Sequence, residues 1–257
     1  MFIVLFKYVK IDEVIKVQQY FVNNKLKVND LYKFTDEQSH HVFKVMRMKN
    51  DNVIRLVDSE SNPFLAKIEY VSNSPYAKVF EKLEENHELP VKVTLILALI
   101  KNDKWDLVLQ KACELGVSTI IPFESSRTVV KVNNNINKKI VRWQKILQEA
   151  SEQCKRTIIP NITTPIKFKQ IKDFKSDLNF VAYEDLNNPS DFVKEIKTNK
   201  NINLIIGPEG GFSKDEIDYL NENGFKSVRL GKRILRAETA SMYALSCVSA
   251  VLENEEL

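Results

Sequence analysis

Four apolar runs after position 90 constrain the fold more than any other feature: VTLILALI from Val93, VSTIIPF from Val117, LNFVAYE from Leu178 and INLIIG from Ile202. Runs that stay apolar at neighbouring positions leave no side for solvent, so they read as strands buried on both faces of a mostly parallel sheet. Helical stretches separate them. One runs from about Asp103 to Glu114 and is closed by Gly116, a long amphipathic one spans about 136–156, and a helical piece lies near 190–198. Strands that alternate with helices indicate an α/β domain.

Upstream of Pro90 the pattern differs. TDEQSHHVFKVMRM carries a helix-start signal, Thr35 with Gln38 three residues on, followed by Val42, Val45 and Met46 at helical spacing. Two β-rich runs follow at 53–58 and 64–71, joined by a turn containing Ser61, Asn62 and Pro63, and YAKVFEKL adds a third. The polar EENHELP at 84–90 reads as a linker. The expected organisation is a small mixed domain over residues 1–84 and an α/β domain over 85–257.

Composition excludes several classes. The longest apolar stretch, VTLILALI, falls far short of the roughly 20 residues a membrane helix needs. The opening MFIVLFKYVK lacks a basic leader and a small-residue cleavage site, so a cytoplasmic protein without a membrane partner is expected. Cys113, Cys154 and Cys247 are widely spaced with no CxxC pair, which argues against a disulfide framework or zinc site. His40, His41 and His87 are too few for a strong triad proposal, and no metal is expected. The net charge of +4 is unevenly placed, because residues 124–156 hold eight basic side chains against three glutamates. Such a region suits a phosphate backbone; a solvated helix face is the alternative.

Average composition would give roughly 18 glycines in a chain this long. This one has six, and five of them lie between Gly207 and Gly231. The text Gly207-Pro208-Glu209-Gly210-Gly211 fits neither GxGxxG nor GxxxxGK[ST]. A carboxylate at Glu209 would repel an anion and compete for the amides meant to cradle it. The cluster is therefore poorly suited to phosphate. INLIIG places Gly207 at the carboxyl end of a strand, where open α/β sheets bind ligands. Ser213 and Glu216 form a capping box for the next helix, Gly224 ends it, and the short strand KSVRLG terminates at Gly231. Two neighbouring strand ends thus each present a glycine turn. The pair suits an adenosine-like ligand carrying its own positive charge; two turns serving only topology are the alternative.

At IGPEGG followed by LGKRILRAETA the sequence closely resembles the RsmE family, bacterial methyltransferases that modify N3 of a uridine in small-subunit (16S) ribosomal RNA, within the SPOUT superfamily. KNDKWDLVLQKACELGV at 101–117, SSRTVVK at 125–131, RWQKILQEASEQCKR at 142–156 and HHVFKVMRMKNDNVIRLVDS at 40–59 extend the match over nearly the whole chain. The resemblance implies an N-terminal PUA-like β-barrel and a C-terminal α/β SPOUT domain with a parallel sheet and deep trefoil knot, which binds S-adenosylmethionine. A homodimer and a 16S ribosomal RNA or small-subunit partner are further implications. So is a cofactor site made by Tyr183 and Glu184, by Gly207, Pro208, Glu209, Gly210 and Gly211, and by Leu230, Gly231, Ile234, Leu235 and Arg236. Asn50 and Asn102 stand where glycine is common in relatives, and Asn tolerates a left-handed backbone better than most residues.

The residues agree with that chemistry. A sulfonium-activated methyl donor needs positioning rather than a nucleophile or metal, and this chain is poor in His and Cys clusters. Uridine N3 must lose a proton while negative charge spreads onto the flanking carbonyls, and Arg236 is the first candidate to face that charge. Glu238 and Glu209 are candidates for the base, with water as a third and purely structural roles for both glutamates open. For RNA contact the candidates are His40, Arg47, Lys49, Lys101, Lys104, Arg127, Lys131 and Arg156, each weighed against a plain surface charge. Trp143 at helical spacing with Ile140, Ile146, Leu147 and Ala150 reads as core rather than as a base-stacking platform. Ribose 2′-O transfer by another knotted methyltransferase, or a non-catalytic RNA-binding protein, are the rival functions.

Overall fold

The computed structural model describes residues 17–128, 130, 132, 135–184, 192–197 and 199–254. Two compact units emerge: the chain up to His87 together with Glu152–Ile158, and Glu88–Ser151 together with the chain from Ile159 onward.

In the first unit β1 (Gln19–Phe21), β2 (Leu31–Lys33), β3 (Val53–Val57), β4 (Pro63–Val71) and β5 (Ser74–Lys82) form a sheet in the order β1-β3-β4-β5-β2. β1 runs parallel to β3, and the other pairs are antiparallel. Ser72 and Asn73, at φ 49 and 66, make the two-residue turn between β4 and β5, since left-handed residues match its twist to that of the strands. Alternation sends Ile54, Leu56, Ala66, Ile68, Ala77 and Val79 into a core shared with Tyr20 and Phe34. Each large aliphatic side chain among them contributes about 2 kcal/mol. Asp58 organises the 58–62 turn, its Oδ1 accepting from the backbone N–H groups of Glu60 and Asn62.

Thr35 caps α1 (Asp36–His40) in a capping box with Gln38, as their spacing predicts. The helix then widens into a π turn over His41–Val45, where the Met46 N–H donates to His41 O at 2.8 Å. The wider turn buries Val42 but leaves Val45 and Met46 exposed, which corrects the helical spacing expected for those two. Asn50 is not left-handed either; Asp51 beside it is, at φ 65.

Residues 152–158 complete the first unit through long-range bonds. Gln19 Nε2 donates to Arg156 O at 2.7 Å, and Lys155 Nζ donates to Val17 O at 2.6 Å. Arg55, 1% exposed, pairs with Glu85; burial lowers its pKa, and the Glu85 carboxylate opposes that shift.

The second unit is built on a parallel sheet in the order β12-β10-β11-β6-β7-β8, with β9 beside β7. Its strands are β6 (Val93–Ala98), β7 (Thr119–Glu124), β8 (Asn161–Ile162), β9 (Ile166–Lys167), β10 (Leu178–Ala182), β11 (Ile202–Ile206) and β12 (Lys226–Val228). All five residues of β11 are buried, the condition its unbroken apolar run requires. The helices are α2 (Asn102–Glu114), α3 (Ile136–Gln153), α4 (Phe192–Glu195), α5 (Lys214–Glu222) and α6 (Ala237–Asn254), with a 3-10 segment at Phe168–Phe174. Trp143 on α3 is 3% exposed and lies 5.1 Å, ring to ring, from Trp105 on α2, so it is core. After β12 at the sheet edge the chain returns inward. α6 packs on α2 and β11 through small and aliphatic residues, Ala237, Ala240, Ala244, Leu245 and Val248 among them.

Candidate functional site

Three strands end at one place. β10 stops at Ala182, β11 at Ile206 and β12 at Val228, and the segments that follow them enclose a cleft of about 300 Å³. Tyr183 and Glu184 line it from the first strand end. Gly207, Pro208, Glu209, Gly210, Gly211 and Phe212 line it from the second, and Arg229, Leu230, Gly231, Arg233, Ile234, Leu235 and Arg236 from the third. All twelve residues anticipated around a cofactor therefore face one cavity, at the carboxyl edge where parallel sheets present ligand sites. Phe212, Arg229 and Arg233 join them.

The glycines serve different ends. A side chain on Gly207 would lie 2.9 Å from the Phe212 ring, so this glycine lets Phe212 close over the loop. Gly211 has φ +64, a left-handed turn. Gly231 is different in kind. Its φ is outside the left-handed region, and beyond its chain neighbours no atom of the described residues lies within 4 Å of where its Cβ would stand. Among the described residues, neither backbone strain nor packing calls for glycine there.

Charge is arranged around this cavity. Lys104, in the first turn of α2, places Nζ 3.2 Å from Glu238 Oε1 and 3.9 Å from Glu209 Oε1. The lysine thus balances both candidate bases, and only Glu209 lines the cleft. Arg236 is exposed at the start of α6, its carbonyl accepting from the Ala240 N–H at 2.7 Å; among the described residues its guanidinium has no partner. Arg229 Nε donates to Gly231 O at 2.7 Å and braces that turn. Ser213 and Glu216 form the expected capping box, and buried Glu216 also accepts from the Ser126 N–H at 3.0 Å, tying the 125–128 loop to the first turn of α5.

The described residues expected to touch RNA fall into three groups. His40, Arg47, Lys49 and Lys101 carry exposed side chains. Lys104 is engaged with the two glutamates, and Arg127 Nη1 donates to Gly210 O at 3.0 Å and Phe212 O at 3.3 Å, making it a strut of the glycine loop. Arg156 is 3% exposed and offers no surface to a nucleic acid, a correction to its placement from sequence. Lys131 lies outside the described residues. Lys33, Phe43 and Lys44, not singled out from the sequence, line a second groove with His40; the signal in the sequence was an aromatic beside a lysine in HHVFKV.

A family model described as an RNA methyltransferase domain matches residues 87–249, and one described as an RNA methyltransferase PUA domain matches residues 34–80. The ribosomal RNA small subunit methyltransferase E of Mesomycoplasma hyopneumoniae is 36% identical over 89% of this chain and 97% of that protein. The chain belongs to the ribosomal RNA small subunit methyltransferase E family. Two solved structures are similar at a TM-score of 0.83, each covering 91% of this chain and 98% of its own. One is a methyltransferase of Legionella pneumophila in complex with the cofactor SAM, 32% identical. The other, from Neisseria gonorrhoeae, carries the family's name and is bound to S-adenosyl methionine, 28% identical. The family's fold, α/β with a parallel sheet preceded by a PUA domain, is the fold expected from the sequence.

Proposed function

We propose that this chain transfers a methyl group from S-adenosylmethionine to N3 of a uridine in small-subunit (16S) ribosomal RNA. The observation that carries the proposal is the cleft at three strand ends, with a glycine at position 231 that packing among the described residues does not require. The lining fits the cofactor. Leu230, Ile234 and Leu235 offer apolar walls, the glycine turns bare backbone amides and carbonyls, and Glu184 and Glu209 negative charge for a cationic ligand.

S-adenosylmethionine supplies a methyl group already activated by its sulfonium. The remaining work falls to this chain: holding the acceptor base out of its stack and in line, and excluding water. As N3 loses its proton, Arg236 stabilises the negative charge that spreads onto the uracil carbonyls. The proton leaves to Glu209, which lines the cleft, or to solvent. Glu238 is committed to Lys104 and fixes the start of α6. Arg127 holds the loop that carries Glu209, and His40, Arg47, Lys49 and Lys101 meet the RNA backbone.

Two structural proposals accompany this reading. The inward return of the chain after β12 is the course a deep trefoil knot takes in this fold. Ile234 and Tyr243, 84% and 41% exposed, are the large apolar side chains of 229–254 that stay open to solvent, and we assign them to a homodimer interface. An Ile234→Asp chain that still sediments as a dimer would remove that assignment. Acting on ribosomal RNA, the protein works in the cytoplasm.

The test of the reaction is transfer of labelled methyl from S-adenosylmethionine to small ribosomal subunits that lack the modification. Arg236→Ala is expected to bind the cofactor by calorimetry while turnover falls about a hundredfold or more, the scale of a lost charge-stabilising group. Near-normal turnover in that variant overturns the role of Arg236, and absence of cofactor binding by the parent chain favours a non-catalytic RNA-binding protein.

A further inference from the structure

We propose that a groove in the first unit, between α1, the π turn and the β4–β5 hairpin tip, holds one unpaired nucleotide of the RNA substrate, its base stacked on Phe43 and its phosphates at Lys33 and Lys44. The inference rests on the reading of the chain as an RNA-modifying enzyme and gives it a second point of contact.

The groove encloses about 370 Å³, within the range of about 300–1,000 Å³ usual for small-molecule sites. Lys33 and Lys44 line it with His40, and among the described residues Asp36 is the one carboxylate, a balance that suits a phosphodiester. The π turn creates this lining. By widening the helix after His40 it seats Val42 in the core and turns Phe43 outward, where the ring remains 47% exposed. An aromatic ring left in water contributes little to folding, and π turns concentrate at functional sites.

Phe43 is also held in place. The Tyr70 ring meets it edge-on with centroids 6.0 Å apart, and Tyr70 is itself fixed by its hydroxyl donating to Met48 O at 2.7 Å. Lys44 Nζ stands 4.9 Å from the centre of the Phe43 ring. A base stacking on the ring forms a sandwich with the ammonium, which then lies near the nucleotide's phosphate. Stacking accepts any base, since each has a π face; Asn73 and Asp36 supply the polar groups that meet base edges.

The test compares the full-length parent with Phe43→Ala, Phe43→Trp and the Lys33→Ala/Lys44→Ala double variant, binding a short unstructured RNA oligonucleotide over a salt series. Phe43→Ala is expected to weaken binding about tenfold with the salt slope unchanged, and Phe43→Trp to retain it. The double lysine variant is expected to lower the slope of log K against log salt by about 1.4, roughly 0.7 for each lost phosphate contact. Melting temperature and S-adenosylmethionine affinity stay at parental values in all three. Parental RNA affinity in Phe43→Ala overturns the proposal. So does a loss seen with assembled small subunits but not with the oligonucleotide, which would assign the groove to a protein partner. A parent chain that binds RNA through Phe43 yet transfers no methyl group removes the enzymatic reading and leaves the groove standing.

Discussion

Lys104 Nζ lies 3.2 Å from Glu238 Oε1, and this contact joins the first turn of α2 to the first turn of α6. The same ammonium reaches Glu209 at 3.9 Å, so one lysine spans the helix that closes the chain and the loop that lines the cleft. The Glu238 side chain is only 12% exposed, and its Oε2 is buried without a hydrogen-bond partner among the described residues. Lys104→Met leaves that carboxylate uncompensated, and is expected to cost about 1–3 kcal/mol of stability in denaturant titration. The Lys104→Met/Glu238→Gln pair is expected to recover part of the loss, because the uncompensated charge is gone. A double variant no better than the single one would show that the ion pair does not couple these elements.

Gly207 and Gly231 line the same cleft for different reasons, so their alanine variants separate folding from binding. Gly207→Ala places a methyl 2.9 Å from the Phe212 ring and is expected to lower stability by about 1–3 kcal/mol. Gly231→Ala meets no atom of the described residues within 4 Å beyond its chain neighbours, so its melting temperature stays parental while cofactor affinity, measured by calorimetry, falls about tenfold, a loss of about 1.4 kcal/mol. Parental affinity in Gly231→Ala contradicts the placement of the cofactor.

Tyr20 gives the first unit an alkaline limit. It is 3% exposed, and its hydroxyl hydrogen-bonds His41 Nδ1 at 2.9 Å. Burial first, and then the Glu152 carboxylate, raises its pKa well above the ordinary 10.0. The folded phenol keeps its proton where the unfolded one loses it, so its stabilising contribution is complete below pH 10 and drains away as pH rises toward the folded value. Tyr20→Phe is expected to lose about 1 kcal/mol at neutral pH with the hydrogen bond, and to show a shallower decline of stability above pH 10. Equally steep curves for the two chains would contradict this.

What the sequence made legible follows from short-range physics. β11 was readable because a strand buried on both faces must be apolar throughout, and the Thr35–Gln38 and Ser213–Glu216 boxes because caps act over three residues. The glycine turns were readable as strand-end features, although only the surroundings of each Cβ separate Gly207 from Gly231. The π turn was not readable, since apolar spacing does not encode a change in hydrogen-bond ring size at His41. Nor was the fate of the basic 124–156 region. Arg127 braces a loop, Arg156 is buried and Lys155 bonds to Val17 O, uses fixed by partners far away in sequence. Lys104 looked like an RNA contact for the same reason, its partner Glu238 lying beyond the reach of any local pattern.

The central claim is met most directly by identifying the methylated nucleoside. Small ribosomal subunits lacking the modification would be incubated with the parent chain and labelled S-adenosylmethionine, the RNA digested, and the labelled product resolved by chromatography and mass spectrometry. The label is predicted on N3 of uridine, and is expected to fall about a hundredfold or more with Arg236→Ala. Label on a ribose 2′ oxygen, or none on RNA from a chain that binds the cofactor, would contradict the account.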